Sequence, residues 1–551
     1  MVESPCWLVE SRYIRVRVLD YHYPKFSARI PTLNFIDTRL NHQVLHKMDT
    51  TSWQSALQSA LPKPTAGTTI LTQGLDTSQV LGLTLCAATV VAYLLKTTNS
   101  NRDSKKYPVV NPPQSFDITG NTFREDFQRN GFLYVKKGNR LFPGKPFRLT
   151  TNFSKATILP PSWAHNIQNK PNLHFMKAIH QDFHADYPAF KPFAAGSRDD
   201  RLLQSVVRTQ LTKYLNKITL PLSAETKLAL DLTYRAPTEW KEFQLKDTLL
   251  NLIARLSSCL HGIIQRVLPS CRKLLDTLNQ GREIVRPVIE ERRALAKQGK
   301  YTPTNTDTIN WFKKAAAGRP YNPVIYQMIL SIAAIHTSSD LANETLIHLA
   351  QRPKLISELR QEMIQVLSTD GWKKSSLFNM KLLNACLKES QRLKRHPYKS
   401  NKPIMLSAMM RMATGNVKLP DGTVIHKGKR TFISTAGMSD PTFYNDPDKF
   451  DPYRFIRLHE EPSKENMAHL ISTSPHHIAF GHGKHACPGR FFAANELKVL
   501  LYHIIMKYNI MLPEGYVSTH RKAAIMIQSD PQSHILLRAR QPEIDIDSLS
   551  G

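Results

Sequence analysis

The residues best able to do chemistry lie in one short loop near the carboxyl end of the chain. It reads FGHGKHACPG over residues 480–489 and precedes an apolar, helix-forming run. A thiolate that binds haem iron needs such a loop, because the sulfur must project at the metal while backbone amides approach and stabilise its charge. Gly483 and Gly489 permit backbone geometries that other residues avoid. The helix that follows would favour thiolate over thiol at Cys487, so the loop indicates a haem-thiolate site.

Two other interpretations of this loop stay open. A lone buried cysteine commonly acts only as a small hydrophobic side chain. Alternatively, His482, His485 and Cys487 offer the nitrogen and sulfur ligands of a zinc site. Structural zinc usually takes four ligands from paired clusters, and the sequence shows no second cluster of Cys and His. The residues therefore favour haem over zinc or an inert cysteine.

Two upstream segments carry polar residues inside helical patterns. Glu389 and Arg392 lie three apart, so they share one helix face. An isolated pair of this kind is usually a solvated contact worth under about 1 kcal/mol. His336 and Thr337 lie in a long helical stretch from about 324 to 350. A threonine in a helix often only bonds back to the carbonyl one turn earlier, and the histidine could equally face outward.

Taken in order along the chain, these segments resemble the cytochromes P450. The spacing of the family's haem-binding loop is matched by Phe480, Gly483, His485, Cys487 and Gly489. The resemblance implies haem b as cofactor, with the Cys487 thiolate as axial ligand of the iron. His485 stands where the family usually has an arginine that pairs with a haem propionate, and a histidine can still donate a hydrogen bond there.

The resemblance also assigns a structural triad. In this family a Glu–Arg pair is buried beneath the haem and joined by an arginine from a later meander. Glu389 and Arg392 match the pair, and Arg454, in the segment FDPYRF at 450–455, matches the later arginine. The order and separation of the three motifs fit the family.

Three further residues are assigned by the resemblance alone. Thr337, in AAIHTS at 333–338, matches the threonine that binds dioxygen and relays protons to it. His336 replaces the usual acid of that relay, and a histidine can carry protons near neutral pH. Arg208 stands where the family often places an arginine on a haem propionate, although Gln204 replaces the usual tryptophan.

Hydrophobic periodicity predicts a mainly α protein. The helical stretches are 208–222, 245–260, 271–298, 324–350, 355–367 and 382–393. A Pro-Asp-Gly turn at 420–422 between two short extended segments predicts a hairpin. The resemblance implies the P450 fold with small β-sheets, as one catalytic domain over 107–537 with a C-terminal tail at 538–551.

The chain of 551 residues has a formal net charge of +30, from 74 basic and 44 acidic residues. The basic residues are dispersed and no nucleic-acid motif occurs, so no nucleic-acid partner is expected. A basic surface suits an acidic electron donor and anionic lipid, and the resemblance implies NADPH–cytochrome P450 reductase as that donor. Lys484, Arg490 and Lys498 are expected on the docking face, with ordinary solvated charge as the alternative. Six scattered cysteines form no disulfide framework, which suits a cytosol-facing domain.

A candidate membrane anchor spans residues 80–96. It is apolar and uncharged as far as its last residue, although short for a span of about 20 residues. Basic residues at 102–106 predict that its C-terminal side is cytoplasmic, and a buried core helix is the alternative. We expect a single-pass protein of the endoplasmic reticulum membrane. Residues 1–79 form an N-terminal extension, within which Met48 is a possible translation start.

The sequence departs most from the family near residues 258–268. There the family pattern would continue through two long helices that roof the substrate cavity, and a few tens of residues are missing. One interpretation is a gene-model error or natural divergence. The other is an open or lost substrate roof.

Segments 333–337 and 482–493 are similar to fungal P450s of secondary metabolism, especially relatives of ent-kaurene oxidase. The resemblance implies a monooxygenase that uses O2 and reductase-supplied electrons. Its expected substrate is an apolar terpenoid-like molecule, such as a meroterpenoid, diterpenoid or indole-diterpene. The alternatives are a haem-thiolate isomerase or dehydratase that needs no reductase, and a non-catalytic or poorly active remnant.

Overall fold

The computed structural model describes residues 107–112, 120–152, 155–261, 271–300, 307–393 and 407–549, together with Thr84 and Ala87. The elements below all belong to the unit Thr97–Gly551. The predicted extension and anchor lie outside the described residues, except that Thr84 and Ala87 are helical. In the part of the chain that the structure describes, no helix is both long and apolar enough to cross a membrane.

The predicted mainly α architecture is confirmed, and each predicted helical stretch falls on a helix. The helices are α1 (Asn121–Leu141), α2 (Ala164–Ile167), α3 (Phe175–Asp182), α4 (Lys191–Gly196), α5 (Leu202–Val206), α6 (Thr212–Tyr234), α7 (Leu245–His261), α8 (Cys271–Lys297), α9 (Thr308–Ala316), α10 (Pro323–Ala350), α11 (Pro353–Asp370), α12 (Lys374–Asn379), α13 (Lys381–Leu393), α14 (Tyr453–Glu460) and α15 (Arg490–Lys507). A π-helical turn, Val207–Leu211, joins α5 to α6.

The strands are short and form small sheets. They are β1 (Phe147–Thr150), β2 (Lys155–Leu159), β3 (Leu173–His174), β4 (Lys241–Gln244), β5 (Ser407–Ala413), β6 (Val417–Lys418), β7 (Val424–Ile425), β8 (Arg430–Ser434), β9 (Tyr508–Met511), β10 (Arg521–Ala523), β11 (Met526–Gln528) and β12 (His534–Ala539). The largest sheet has the order β1-β2-β8-β5-β3, with β2 and β8 parallel. The predicted hairpin is confirmed as the antiparallel pair β6–β7.

Helix α10 is the axis of the helical core. Its first turn is fixed by Asn322, whose side chain accepts hydrogen bonds from the amides of Val324 and Ile325, and by proline at its first position. It packs against α7, α13 and α15. This helix carries the segment that contains Thr337.

Helix α15 begins directly after the cysteine loop and is buried on nearly every side. It packs against α6, α10 and α11, and its apolar residues join the largest hydrophobic core. Surrounded in this way, α15 holds the cysteine loop at a fixed position relative to α10.

The residues after Leu537, expected as a tail, pack onto the domain. Strand β12 continues to Ala539 and pairs with β4 and β9. Ile546 is 1% exposed, and its carbonyl accepts a hydrogen bond of 3.0 Å from Trp372 Nε1. The last described residues therefore complete the core.

The shortened segment falls between α7 and α8. Helix α7 ends at His261 and α8 begins at Cys271, and residues 262–270 lie outside the described part of the chain. Val285 of α8 packs with Val324, Ile325 and Met328 at the start of α10. A long helix thus follows the shortened segment and covers the beginning of α10.

Candidate active site

The cysteine loop is a compact turn held by its own backbone. A 3-10 turn spans Gly483–His485, and the Cys487 amide donates to the Phe480 carbonyl at 2.8 Å. Gly483 has φ +71°, and a Cβ there would lie 2.4 Å from the Gln168 Cβ. The requirement for glycine at 483 is thus explained twice, by left-handed backbone and by close approach.

Gly489 does not share that requirement. Its φ is −86°, and a Cβ there would make an ordinary contact of 3.6 Å with Val207. The prediction that Gly489 needs a backbone geometry closed to other residues is wrong. Gly489 precedes the first residue of α15, so its place in the loop is set by where that helix begins.

Burial controls the protonation of Cys487. Desolvation raises the pKa of the thiol, and it outweighs the amides of Gly489 and Arg490 and the Arg490 charge, which lower that pKa. The helix start therefore acts on the sulfur in the predicted direction, but in the protein alone burial prevails. A bound cation at the sulfur would supply the missing stabilisation of the thiolate.

Arg411 is a buried cation that has no counterion among the described residues. It lies in β5, is 1% exposed, and donates from Nη1 to the Met410 carbonyl at 2.8 Å. Within the same described part of the chain, its Nε and Nη2 have no hydrogen-bond partner, and burial lowers the pKa of the guanidinium to about 10. Because an uncompensated buried charge is costly, this position indicates an anionic ligand.

Other basic groups converge on the same place. The rings of His174 and His485 lie 5.6 Å apart, and His174 pairs through its backbone with Met412, next to Arg411. The pKa of His485 is lowered to about 3. Burial is the largest cause, and the charges of Arg411, His174 and Arg201 lower the pKa further. No carboxylate contributes to the pKa of either imidazole. We call Arg411, His485, His174, Arg201 and Lys484 the cation cluster.

Arg208 lies against the cysteine loop from the opposite direction. It is exposed, in the π-helical turn, and Nη2 donates to the Lys484 carbonyl at 3.3 Å. The Arg208 side chain therefore reaches the cysteine loop, where it binds a backbone carbonyl. Its contact with a propionate stays a prediction.

The expected docking lysines and arginine differ in exposure. Lys484 is exposed, and Arg490 is half-buried and donates to the carbonyls of Ile471 and Cys487. Lys498 is only 5% exposed and donates to the Leu377 carbonyl at 2.6 Å. The prediction that Lys498 lies on a docking face is wrong, because α15 is enclosed by other helices.

The predicted triad is confirmed as a buried ion network. Arg392 makes two hydrogen bonds of 2.7 Å to the Glu389 carboxylate, and neither side chain is exposed. Arg454 donates from Nε to Glu389 Oε1 at 3.1 Å, and the Asp451 amide donates to the same oxygen. The remaining guanidinium nitrogens bind carbonyls, those of Met438 and Pro447 for Arg392 and of Asn445, Asp446 and Lys449 for Arg454. Two guanidinium groups share one carboxylate, and every charged group of the triad is hydrogen-bonded, which suits a structural role.

Thr337 and His336 lie in the middle of α10 and are both exposed. Thr337 Oγ1 donates to the Ala333 carbonyl at 3.0 Å, the bond back along the helix that the sequence left open. Desolvation on the side facing α7 lowers the pKa of His336, and the Lys246 ammonium lowers it further. His336 is therefore neutral near pH 7 and able to accept a proton.

A family model described as Cytochrome P450 matches residues 204–536. The chain belongs to the cytochrome P450 family. It is 36% identical over 511 residues to cytochrome P450 monooxygenase hepE of Aspergillus oryzae, covering 85% of this chain and 92% of the relative. It is 34% identical over 511 residues to cytochrome P450 monooxygenase eqxH of Fusarium heterosporum, covering 85% and 97%.

A solved structure shows the same fold. The crystal structure of the cytochrome P450DA heme domain superposes with a TM-score of 0.58 at 16% identity, covering 79% of this P450 and 98% of that chain. At this identity the likeness concerns the fold alone.

The donor set of this P450 fits haem. Cys487 is the residue that would hold the iron, and the unpaired donors of Arg411 would meet the propionate carboxylates. Arg201 and Lys484 supply further positive charge beside them, and no carboxylate contributes to the pKa of the neighbouring imidazoles. By contrast, both ring nitrogens of His482 are engaged, by Thr473 and His165, which leaves little support for a zinc site with Cys487.

Sequence reasoning missed Arg411 and His174. Arg411 stands in the apolar stretch AMMRMA at 408–413, and a lone arginine in a buried strand needs an anion. Sequence reasoning could therefore have identified Arg411. His174 carried no comparable signal, because only the β3–β5 pairing brings it beside Arg411.

We predict that Arg411→Met weakens haem retention. Hydrogen bonds to charged groups contribute about 1.5–3 kcal/mol, so haem should leave roughly tenfold to a hundredfold faster, measured by transfer to apomyoglobin. The haem-free variant should unfold at equal or higher urea concentration, because a buried unpaired charge is removed. Lys484→Met, at an exposed member of the cation cluster, is the matched control. Unchanged haem loss in Arg411→Met would exclude the assignment.

Proposed function

We propose that this P450 is a haem-thiolate monooxygenase that oxidises an apolar, terpenoid-like molecule in fungal secondary metabolism. The observation that carries the proposal is the cysteine loop beside the cation cluster, in a chain of this family. Its relatives hepE and eqxH are named as monooxygenases. The terpenoid class rests on the resemblance of segments 333–337 and 482–493 to relatives of ent-kaurene oxidase.

Each site residue has a proposed part in this reaction. When bound, haem supplies the iron that activates O2. Cys487 would hold that iron, and its backbone partners keep the sulfur in place. The Thr337 hydroxyl would exchange its bond to the Ala333 carbonyl for one to the O2 substrate, and neutral His336 would pass protons to that hydroxyl. Glu389, Arg392 and Arg454 hold the surrounding elements together.

The electrons are proposed to come from NADPH through a cytochrome P450 reductase. The net charge of +30 favours an acidic partner. Exposed Lys484 belongs to the cysteine loop, and half-buried Arg490 follows it, so positive charge lies near the proposed thiolate. These two residues, without Lys498, form the proposed docking face.

Reconstitution separates this function from its alternatives. Purified protein is combined with a fungal reductase, NADPH and a panel of terpenoids, and product, NADPH consumption and peroxide release are measured. Product that requires both NADPH and O2 supports the monooxygenase. Product from a peroxide substrate without reductase supports the isomerase or dehydratase. Reductant consumption that yields mainly peroxide supports the poorly active remnant.

The shortened segment gives the poorly active alternative its support. Only residues 262–270 separate α7 from α8. The alignment with hepE is 511 positions long, which is longer than the 85% of this 551-residue chain that it covers. The relative therefore has residues that have no counterpart in this chain. An incompletely covered site admits water and positions substrate poorly.

Membrane attachment through residues 80–96 is proposed from their sequence. We predict that a chain starting at Met48 sediments with microsomes and is as active as the full chain, because it keeps the apolar segment. A chain starting at Lys96 should lose tight association, since about 20 apolar residues are needed to span the bilayer. Alkaline carbonate extraction and immunoblotting measure this. Retention of the Lys96 form in the membrane pellet would exclude the anchor.

A further inference from the structure

A carboxyl group is buried between the helix that follows Cys487 and the helix that carries Thr337. Glu496 belongs to α15 and is fully buried. Its Oε1 accepts a hydrogen bond of 2.6 Å from the hydroxyl of Ser257, in α7, which is also fully buried. One carboxyl oxygen is thus tied to α7.

The second carboxyl oxygen faces α10. Ser338, the residue after Thr337, is 3% exposed and lies close enough to lower the pKa of Glu496. Even so, the geometry between Glu496 Oε2 and Ser338 Oγ falls short of an ordinary hydrogen bond, and neither atom has another partner among the described residues. The two buried groups therefore stand close to each other, where a proton on the carboxyl would let Oε2 donate to Ser338.

In the described part of the chain, no charged group contributes to the pKa of Glu496. The charged side chains on the surrounding helices bind other partners. Arg255 pairs with Glu225, and Asp340 pairs with Lys246. Lys498 donates to the Leu377 carbonyl, and Glu362 accepts from the first amides of α13. His336, on α10, responds to Lys246 and Asp340 and not to Glu496. Burial consequently raises the pKa of Glu496 to about 7.

We propose that Glu496 is protonated in the resting protein and is a positioning residue, whose hydrogen bond to Ser338 fixes Thr337 relative to the helix that follows Cys487. This rests on the oxygen-binding role proposed above for Thr337. Ionisation would place an uncompensated charge between α7, α10 and α15, and the α10 segment would move to reduce it. Delivery of protons at Thr337 should therefore deteriorate as pH rises through neutrality.

Infrared spectroscopy of the full-length holoprotein tests the protonation directly. The wild-type protein should show a protonated-carboxyl band at pH 6 that shifts in D2O, weakens as pH rises past 7, and is absent from Glu496→Gln. Glu344→Gln, at a buried carboxylate paired with His520, is the matched control and should keep the band. If Glu496→Gln retains the complete spectrum, Glu496 is ionised and the proposal is overturned.

Peroxide release tests the positioning. With reductase and NADPH, wild-type peroxide release should rise with pH across the same range. In Glu496→Gln, which stays neutral, that pH dependence should be lost, and in Ser338→Ala release should be high at every pH. An unaltered pH profile in Glu496→Gln would overturn the positioning role. If Thr337→Ala leaves peroxide release unchanged while the infrared result holds, the role of Thr337 has failed and the protonation of Glu496 has not.

Discussion

Replacing Cys487 with alanine should abolish the thiolate-type absorption of the reduced carbon monoxide complex, together with all product formation. The cysteine is the only thiol of the 480–489 loop. Its amide is fixed to the Phe480 carbonyl by a backbone bond, which the alanine variant can keep, so the change removes the thiol and not the turn. Loss of the axial thiolate removes the ligand that defines the electronic properties of the bound iron. The measurement is the difference between the spectrum of the reduced protein with carbon monoxide and that of the reduced protein without it.

The matched control is Cys386→Ala. Cys386 is a free cysteine buried in α13, where burial raises the pKa of its thiol well above the usual value. It should keep the spectrum and lose only a small packing contribution. A thiolate-type spectrum in Cys487→Ala would refute the haem-thiolate assignment, whatever the activity.

Removal of either member of the Glu389–Arg392 pair should nearly eliminate folded holoprotein. Deleting one partner of a buried ion pair typically costs about 3–5 kcal/mol, a large part of the roughly 5–15 kcal/mol that stabilises a folded domain. Glu389→Ala would leave two buried guanidinium groups facing each other across the vacated position. Expression, haem content and urea unfolding of any recovered protein measure the effect.

Helix α14 offers a matched pair of arginine variants as the control for this experiment. Arg454 and Arg457 both belong to α14, but Arg454 joins the buried triad while Arg457 pairs with Asp451 at the surface with 59% of its side chain exposed. Arg454→Ala should fold poorly, whereas Arg457→Ala should cost under about 1 kcal/mol. Equal stability of the two variants would show that burial of the triad does not matter.

Much of this P450 could be predicted because its signals are local. The φ of Gly483, the α10 helix and the β6–β7 hairpin each follow from residues close together in sequence. The pairing of Glu389 with Arg392 is local and was predictable in the same way. Arg454 was predicted only through the family resemblance.

The errors concern surroundings that a motif does not encode. Lys498 was expected at the surface because lysine usually is, yet α15 is enclosed and the ammonium binds a carbonyl inside the protein. The pKa of Cys487 shows the same dependence on surroundings, because the burial that raises it comes from the packing of the whole loop. The cation cluster needs β3 beside β5, a pairing between residues far apart in sequence.

The contact between Ile546 and Trp372 has a consequence for biosynthesis. Nε1 of Trp372 finds its acceptor on Ile546, a residue 174 positions later in the chain. Domains generally begin to fold while the chain is still being made, but here the packing around Trp372 cannot close until Ile546 has left the exit tunnel. Nascent chains would therefore present unfinished apolar surface to chaperones until that point, and premature stop codons before Ile546 would yield protein marked for degradation.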